Sequence, residues 1–372
     1  MKKRVIAINL PQFHPFKEND EWWGKGFTEW TNVTKACPRF KGHYQPHLPS
    51  DTGFYDLRLP EARQMQADMA REAGIYGFCY YHYWFNGKQL MERPINDILK
   101  SGEPDFPFML CWANENWARN WDGGFKDVLI EQKYSREDDI EHIRWLCKNV
   151  FSDKRYIRVN DKPVFSIYRK SLFPNISETL LLWRRIAREE FGMELYLMFA
   201  DYHADKYRDD PEPLGFDASF DFPPIDAIQF IRPQRTLLYK ILNRLPLIKR
   251  WGLINHYILN QPEFFSYRKY VNSHIKTSFP KIKCYPCVSP GFDNSPRRVG
   301  KPFLCFYDST PELYGCWLSH TMKSFIPFSD EENFIFINAW NEWAEGNHLE
   351  PDQKWGRQYL EETRKAIMNN VQ

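Results

Sequence analysis

Short apolar runs alternate with amphipathic stretches along this chain, and most of the runs end in polar and aromatic clusters. The runs are 5–10, 75–84, 106–112, 163–168, 195–200, a weaker 216–222, 283–289 and 334–339. Their β-branched and aromatic character, bounded by Gly, Pro, Asn and Asp, predicts strands buried on both faces. The stretches between them have helical spacing. Residues 60–73 place Met65, Met69 and Ala73 on one face and meet a stop at Gly74. Further helices are predicted over 90–100, 138–150, 177–191, 263–278, 311–323 and 354–368. The helix at 177 begins at a Ser-x-x-Leu without the full capping box.

Eight strands alternating with helices predict an α/β fold with a parallel sheet, and that number favours a closed (β/α)8 TIM barrel over an open sheet. No Gly-x-Gly-x-x-Gly follows the first strand, which counts against a dinucleotide fold. Long βα loops would then carry the polar clusters at the barrel mouth. At 372 residues the chain fits one catalytic domain spanning 1–372. One insertion near 227–262 carries no acid but holds Arg232, Arg235, Lys240, Arg244, Lys249 and Arg250 interleaved with leucines. It reads as an added basic helical hairpin packing on the barrel, or as an amphipathic surface (232–250) for peripheral contact with an anionic membrane.

Composition sharpens this picture in two places. Aromatics make up 17% of the chain, with 14 Trp, more than packing usually requires, and sugar sites are one use for such a surplus. The net charge of +2 points to no nucleic-acid partner. The basic start at Lys2–Arg4 precedes an apolar run too short for a signal peptide, and no run is long enough to span a membrane. The expected location is therefore cytoplasmic, with peripheral inner-membrane contact as an option, and the eight cysteines are expected to be thiols. Cys284 and Cys287 form a lone C-x-x-C inside a strand and read as buried thiols.

The most chemical stretch is Phe334-Ile335-Phe336-Ile337-Asn338-Ala339-Trp340-Asn341-Glu342-Trp343-Ala344-Glu345-Gly346. Two glutamates three positions apart follow an apolar run, each beside tryptophan. Carboxylates exchange protons at a glycosidic oxygen, and indoles stack on pyranose faces, so Glu342 and Glu345 are the candidate catalytic pair. Trp340, Asn341 and Trp343 are candidate sugar contacts. Glu115, within Asn114-Glu115-Asn116-Trp117 after the third strand, is a third carboxylate expected at the same mouth. Asn114, Asn116 and Trp117 beside it are candidate substrate contacts, as are Asp201 and His203 after the fifth strand and Asp221 after the sixth, with loop capping the alternative for these last three. Strand alternation puts Tyr81 and Tyr83 on one face, Tyr80, His82 and Trp84 on the other, and the first pair is placed near the mouth. The first long loop holds Gln12, His14, Trp22, Trp23, Glu29, Trp30, His43, Tyr44 and His47. Of these, His14, Trp30 and His47 are taken as substrate contacts. The histidine spacing matches no usual zinc pattern, so no metal or cofactor is expected.

These segments carry a resemblance. Residues 7–14, 26–33, 44–49, 112–117 and 338–346 resemble the WbsX-like family, whose label is a glycosyltransferase of lipopolysaccharide and capsule synthesis. More distantly the chain is similar to glycoside hydrolase family 99, (β/α)8 endo-α-mannosidases with a Trp-Asn-Glu-Trp-x-Glu-Gly motif after the last strand. That resemblance implies Glu345 as general acid/base, Glu342 as the base for the substrate 2-hydroxyl, and retention through a 1,2-anhydro sugar. Ala344 departs from the bulkier polar residue often found there, which bears on substrate choice.

The expected activity is a retaining glycoside hydrolase or transglycosylase acting on an α-linked, mannose-like bacterial surface polysaccharide or its precursor. A nucleotide-sugar glycosyltransferase is the alternative, for which Asp138-Asp139 and Asp209-Asp210 are the nearest acid pairs to a diphosphate site. A non-catalytic glycan-binding protein is the third reading.

Overall fold

A computed structural model describes residues 3–118, 128–201, 209–224 and 262–369. His203 and the expected basic insertion, all but its last residue, lie outside these. The main sheet is a ring of parallel strands: β1 (Arg4–Asn9), β2 (Gly77–Phe85), β3 (Phe108–Trp112), β4 (Lys162–Ile167), β5 (Tyr196–Asp201), β6 (Ala218–Asp221) and β8 (Phe334–Ile337). The remaining run, β7, is split into Cys284–Tyr285 and Cys287–Val288. Its first half pairs with β6 and its second with β8, while β1 pairs with both β2 and β8. The path thus comes almost full circle as nine hydrogen-bonded segments, two of which flank Pro286. Proline has no N–H for the ladder, so the break falls there, yet its carbonyl still accepts from Phe336 N at 2.9 Å.

Strand positions agree with the hydrophobic pattern to within two residues, since runs buried on both faces are unambiguous. β2 is buried along its whole length. Helices cross between strands: α3 (Pro60–Glu72), α4 (Arg93–Ser101), α5 (Arg136–Asn149), α6 (Ile176–Phe191), α7 (Tyr267–Lys276), α8 (Pro311–Ser324) and α9 (Gln358–Met368). Two shorter helices, α1 (Lys17–Trp23) and α2 (Glu29–Lys35), lie within the first loop, which sequence reading left without structure. α2 opens with a reciprocal Thr28–Thr31 capping box.

Local side chains moved several predicted boundaries. α6 is capped by Asn175, whose side chain accepts from Glu178 N, two positions before the serine expected to start it. The segment predicted as helix from 263 begins instead as a strand, Glu263–Ser266, paired with Leu304–Tyr307. Ser266 then caps α7. α4 starts at Arg93 because Lys88–Leu90 folds back as a short strand on β2. The caps and the Lys88–Leu90 turn-back are local, whereas the partner of Glu263–Ser266 lies some forty residues on, beyond the reach of periodicity.

Gly77 opens β2 at a close approach to the chain before β3. A Cβ there would lie 2.5 Å from the Pro107 carbonyl oxygen, which itself accepts from Phe78 N at 3.0 Å. Moving that carbonyl breaks the bond. Gly77→Ala is therefore expected to destabilise the fold by about 2 kcal/mol, measured by urea denaturation. An unchanged midpoint would show that the β2–β3 contact has slack.

Candidate active site

After β8 the chain does not leave the barrel rim. Trp340 N donates to Ile8 O at 2.7 Å, which holds the chain against β1. Asn341 is fully buried: its Oδ1 accepts from Leu10 N at 2.7 Å and its Nδ2 donates to Leu10 O at 3.0 Å. Asn341–Glu342 then pairs antiparallel with Asn347–His348 across a one-turn 3-10 helix at Trp343–Glu345. Gly346 ends the turn at φ 55°, and a Cβ there would meet Asp293 Cβ at 3.2 Å, so both conformation and space favour glycine.

The two tryptophans of this stretch face inward. Trp340 and Trp343 are fully buried, and their indole N–H groups donate to Glu350 at 2.9 and 2.7 Å. Tyr55 and Gln66 donate to the same carboxylate at 2.8 and 2.7 Å. Burial pushes Glu350 up to about 7, against the pull of these four donors. Trp343 also stacks on His348, with centroids 3.8 Å apart.

The glutamates point the other way. Glu342 caps the 3-10 turn and Glu345 ends it, and three residues per turn put them on one side. Both line a cavity of about 430 Å³ at the C-terminal ends of the strands. Between them stands Arg297, delivered by a second 3-10 turn, Ser295–Arg297, in the loop after β7. Its Nη2 donates to Glu342 Oε2 at 2.9 Å, its Nη1 to Glu345 Oε1, and its Nε to Glu29 Oε1 at 2.7 Å. Glu29 comes from the first turn of α2 and is completely buried. The Arg297 loop is tied to the hairpin by Asp293 N donating to Glu345 O at 2.5 Å. Asp293 in turn accepts from His43 Nε2 at 2.6 Å and Gln45 Nε2 at 2.7 Å. Burial works against its charge, but these donors hold Asp293 below the usual carboxylate range.

Three carboxylates around one guanidinium leave an excess of negative charge. Burial pushes Glu342 up to about 8, with Arg297 pulling it down and Glu345 and Glu29 pushing it further up. Burial raises Glu345 as well, opposed by Arg297. Burial disfavours the Arg297 cation, yet Glu29, Glu345 and Glu342 together hold it firmly charged. Burial thus favours a retained proton on these carboxylates while Arg297 favours their ionised form, the opposed pulls that acid/base chemistry uses. Glu345 is the more open of the two, its side chain 26% exposed against 9% for Glu342.

Aromatic and polar groups complete the cavity wall. Tyr81 and Tyr83 project into it from β2, while His82 and Trp84 on the opposite face pack against His142 of α5. Trp117 lines it and meets Tyr83 edge-on at 5.4 Å. Glu115 and Asn116 stand at the rim, with Glu115 bound by Arg169 at 2.5 Å and Asn116 accepting from Gln132 N at 2.7 Å. Tyr168, Phe222 and Phe292 add apolar surface.

Other residues expected to contact substrate lie elsewhere. Asn114 is buried and pins the 169 loop through the Arg169 backbone and Tyr134. Trp30 is buried with its indole N–H on Tyr55 O at 2.9 Å. His14 is buried, held to Pro11 O, and burial lowers it to about 4, so it is neutral. Asp201 is buried at the end of β5, in register with Asp221, and neither lines the cavity. His47 lies on a second cavity behind the hairpin. Sequence reading did not single out Arg297 as part of the site; its only local signal was Arg297-Arg298 in a loop after a strand. The acid pairs weighed for a diphosphate site are engaged otherwise. Asp138 accepts from Trp84 Nε1 at 2.9 Å, Asp139 from Thr179 at 2.8 Å, and Asp209 pairs with Lys170 at 2.6 Å.

Removing Arg297 leaves three carboxylates without their counter-charge. Arg297→Met is expected to cost about 3–5 kcal/mol at pH 8 and distinctly less at pH 5. The sign follows from the raised carboxylates. Between the unfolded value of 4.5 and the folded value of about 8 for Glu342, the native state holds a proton that the unfolded chain has released, so stability falls as pH rises. Denaturant midpoints across pH 5–9 would reveal this. A pH-independent loss would mean the carboxylates are not buried together.

Comparison with known proteins follows the same lines. The profile of a family described as "Glycosyltransferase WbsX" matches residues 5–363. The WxcX proteins of two Xanthomonas campestris pv. campestris strains, both described as uncharacterized, are 40% identical over 368 residues, 98% of this chain. That match covers 49% of their length, so this chain spans about half of them. Among solved structures, a GH99 endo-α-mannosidase of Bacteroides thetaiotaomicron aligns over 99% of this chain and 97% of its own, at TM-score 0.59 and 12% identity. A protein described as glycoside hydrolase-like aligns over 98% and 94%, at TM-score 0.55 and 13% identity. At such identities the likeness concerns the barrel fold. Among the described residues no helix is long and apolar enough to cross a membrane.

Proposed function

The chain belongs to the WbsX family, and within it we propose a retaining carbohydrate-active enzyme that hydrolyses or transfers an α-linked, mannose-like unit of a bacterial surface polysaccharide or its precursor. The reading treats residues 1–372 as one catalytic unit. It rests chiefly on Glu342 and Glu345 held side by side on Arg297 in an aromatic-lined cavity. A pyranose ring would sit against Tyr81, Tyr83 and Trp117, with Glu115 and Asn116 meeting hydroxyls at the rim.

In the reactive state Glu345, the more exposed carboxyl, gives its proton to the departing glycosidic oxygen. Glu342, deeper and against Arg297, takes the proton of the sugar 2-hydroxyl, whose oxygen closes on the anomeric carbon as a 1,2-anhydro sugar. Glu345 then takes a proton from water or an acceptor hydroxyl that opens the ring, and Glu342 returns its proton to the 2-oxygen. Arg297 keeps both carboxylates in place and limits the charge that builds on them. The glycosyltransferase reading would require a diphosphate site, and the acid pairs weighed for it already serve helix packing and an ion pair.

Incubation with bacterial surface oligosaccharides, with and without nucleotide sugars, tests this. Shortened or rearranged glycans are expected without nucleotide, reduced at least about 100-fold in Glu342→Gln and Glu345→Gln. Nucleoside diphosphate release that survives both substitutions would overturn the assignment. Burial raises the acid Glu345, so activity is expected to fall on the alkaline side, above the ordinary carboxylate range, where that proton is lost. A rate still climbing at pH 9 would contradict a protonated acid.

A further inference from the structure

A second cavity, of about 290 Å³, lies behind the Trp343–Gly346 turn and shares Phe292 with the first. His47, His348 and Asp352 line it, from the first loop and from the segment after the catalytic hairpin. One ligand-type atom of each lies within 4.8 Å of the others, and His348 and Asp352 are almost wholly buried.

His348 and Asp352 are each oriented by bonds on one atom that leave the other facing the cluster. His348 Nδ1 lies 2.9 Å from the Glu350 carbonyl oxygen. That oxygen only accepts, so Nδ1 carries the proton and Nε2 carries the lone pair. Asp352 Oδ1 accepts from the backbone N–H groups of Lys354 and Trp355 at 2.8 and 2.6 Å, leaving Oδ2 at 3.8 Å from His348 Nε2. His47 Nδ1 sits 2.9 Å from the same Nε2. Ligand atoms around a tetrahedral zinc ion, at bonds of 2.0–2.1 Å, lie about 3.3 Å apart. The separations of 2.9 and 3.8 Å straddle that value. A histidine whose second nitrogen donates to a carbonyl is also the usual support for a metal-binding imidazole.

We propose that His47, His348 and Asp352 form a binding site for one divalent transition-metal ion of the zinc type, separate from the catalytic pair. The ion replaces the hydrogen shared between the two imidazoles, and the His47 proton moves to its other ring nitrogen, so no co-reactant is required. Three protein ligands leave a fourth position for water. The buried Ser309 hydroxyl on the same cavity, which has no hydrogen-bond partner among the described residues, is a group such a water would serve. The ion's effect is mechanical. His348 pairs with Asn341 and stacks on Trp343, so the metal fastens the hairpin bearing Glu342 and Glu345 from behind.

The neighbouring group of His43, Asp293 and Cys305 provides an internal control. His43 Nδ1 accepts from Arg39 N at 3.0 Å, so its Nε2 carries the hydrogen that is donated to Asp293 at 2.6 Å. That pair is already closed by its own hydrogen bond.

The test uses the full chain without a histidine tag, stripped by chelator. Zn²⁺ titration calorimetry is expected to give one site per chain, and Co²⁺ to give the visible absorption of a tetrahedral centre. Both signals should weaken at least tenfold in His47→Gln and Asp352→Asn and persist in His43→Gln. Zn²⁺ should also raise the melting temperature of the wild type and not of Asp352→Asn. His47→Gln serves where Asp352→Asn fails to fold, since His47 is at the edge of the cluster. No stoichiometric binding, binding that survives both ligand substitutions, or binding lost in His43→Gln would each overturn the proposal.

Discussion

Arg297 places one positive charge among three carboxylates in a site largely closed to water, and the rest of the mouth is arranged around that imbalance. Removing ions from water costs several kcal/mol each, and only close, bonded partners offset it. The guanidinium meets this with all three of its nitrogens, one carboxylate apiece. Burial lifts the proton affinity of Glu342 and Glu345, Arg297 opposes that rise, and the neighbouring carboxylates add to it. The guanidinium thus fixes the geometry and holds the rise in check, while burial favours a retained proton. It also ties three distant stretches together: the first loop, the loop after β7 and the turn after β8.

Glu350 does for the interior what Arg297 does for the mouth. Its carboxylate gathers Trp340, Trp343, Tyr55 and Gln66, and so anchors the inner side of the turn whose outer side carries the glutamates. The long aromatic stretch therefore divides its labour. The tryptophans serve packing and orientation, and the carboxylates face the cavity. Much of the aromatic surplus follows the same logic, with Trp30 and Trp112 buried beside the barrel. The aromatic side chains that line the cavity are Tyr81, Tyr83, Trp117, Tyr168, Phe222 and Phe292.

How far the sequence carried the argument can be judged from particular residues. Strand runs were legible because each is apolar on both faces, and alternation along β2 separated Tyr81 and Tyr83 from His82 and Trp84. The strand Glu263–Ser266 was not legible, because its pairing partner lies some forty residues away at Leu304–Tyr307. Trp340 and Trp343 looked like sugar platforms, since a tryptophan beside a glutamate gives no sign of which way its indole turns. Only the buried Glu350, seven positions beyond Trp343, decides that.

The sequence by itself determined the alternation of strand and helix, the barrel it builds, and the candidate pair Glu342 and Glu345 beyond the last strand. These follow from local rules of periodicity, chain direction and residue chemistry. The tertiary structure decided which charges share a space. Glu29 and Arg297 are separated by 268 positions and meet at 2.7 Å, and His47 meets His348 across 301. Proton affinity and metal-binding chemistry depend on distances of a few ångströms and on burial, and no local pattern along the chain encodes either.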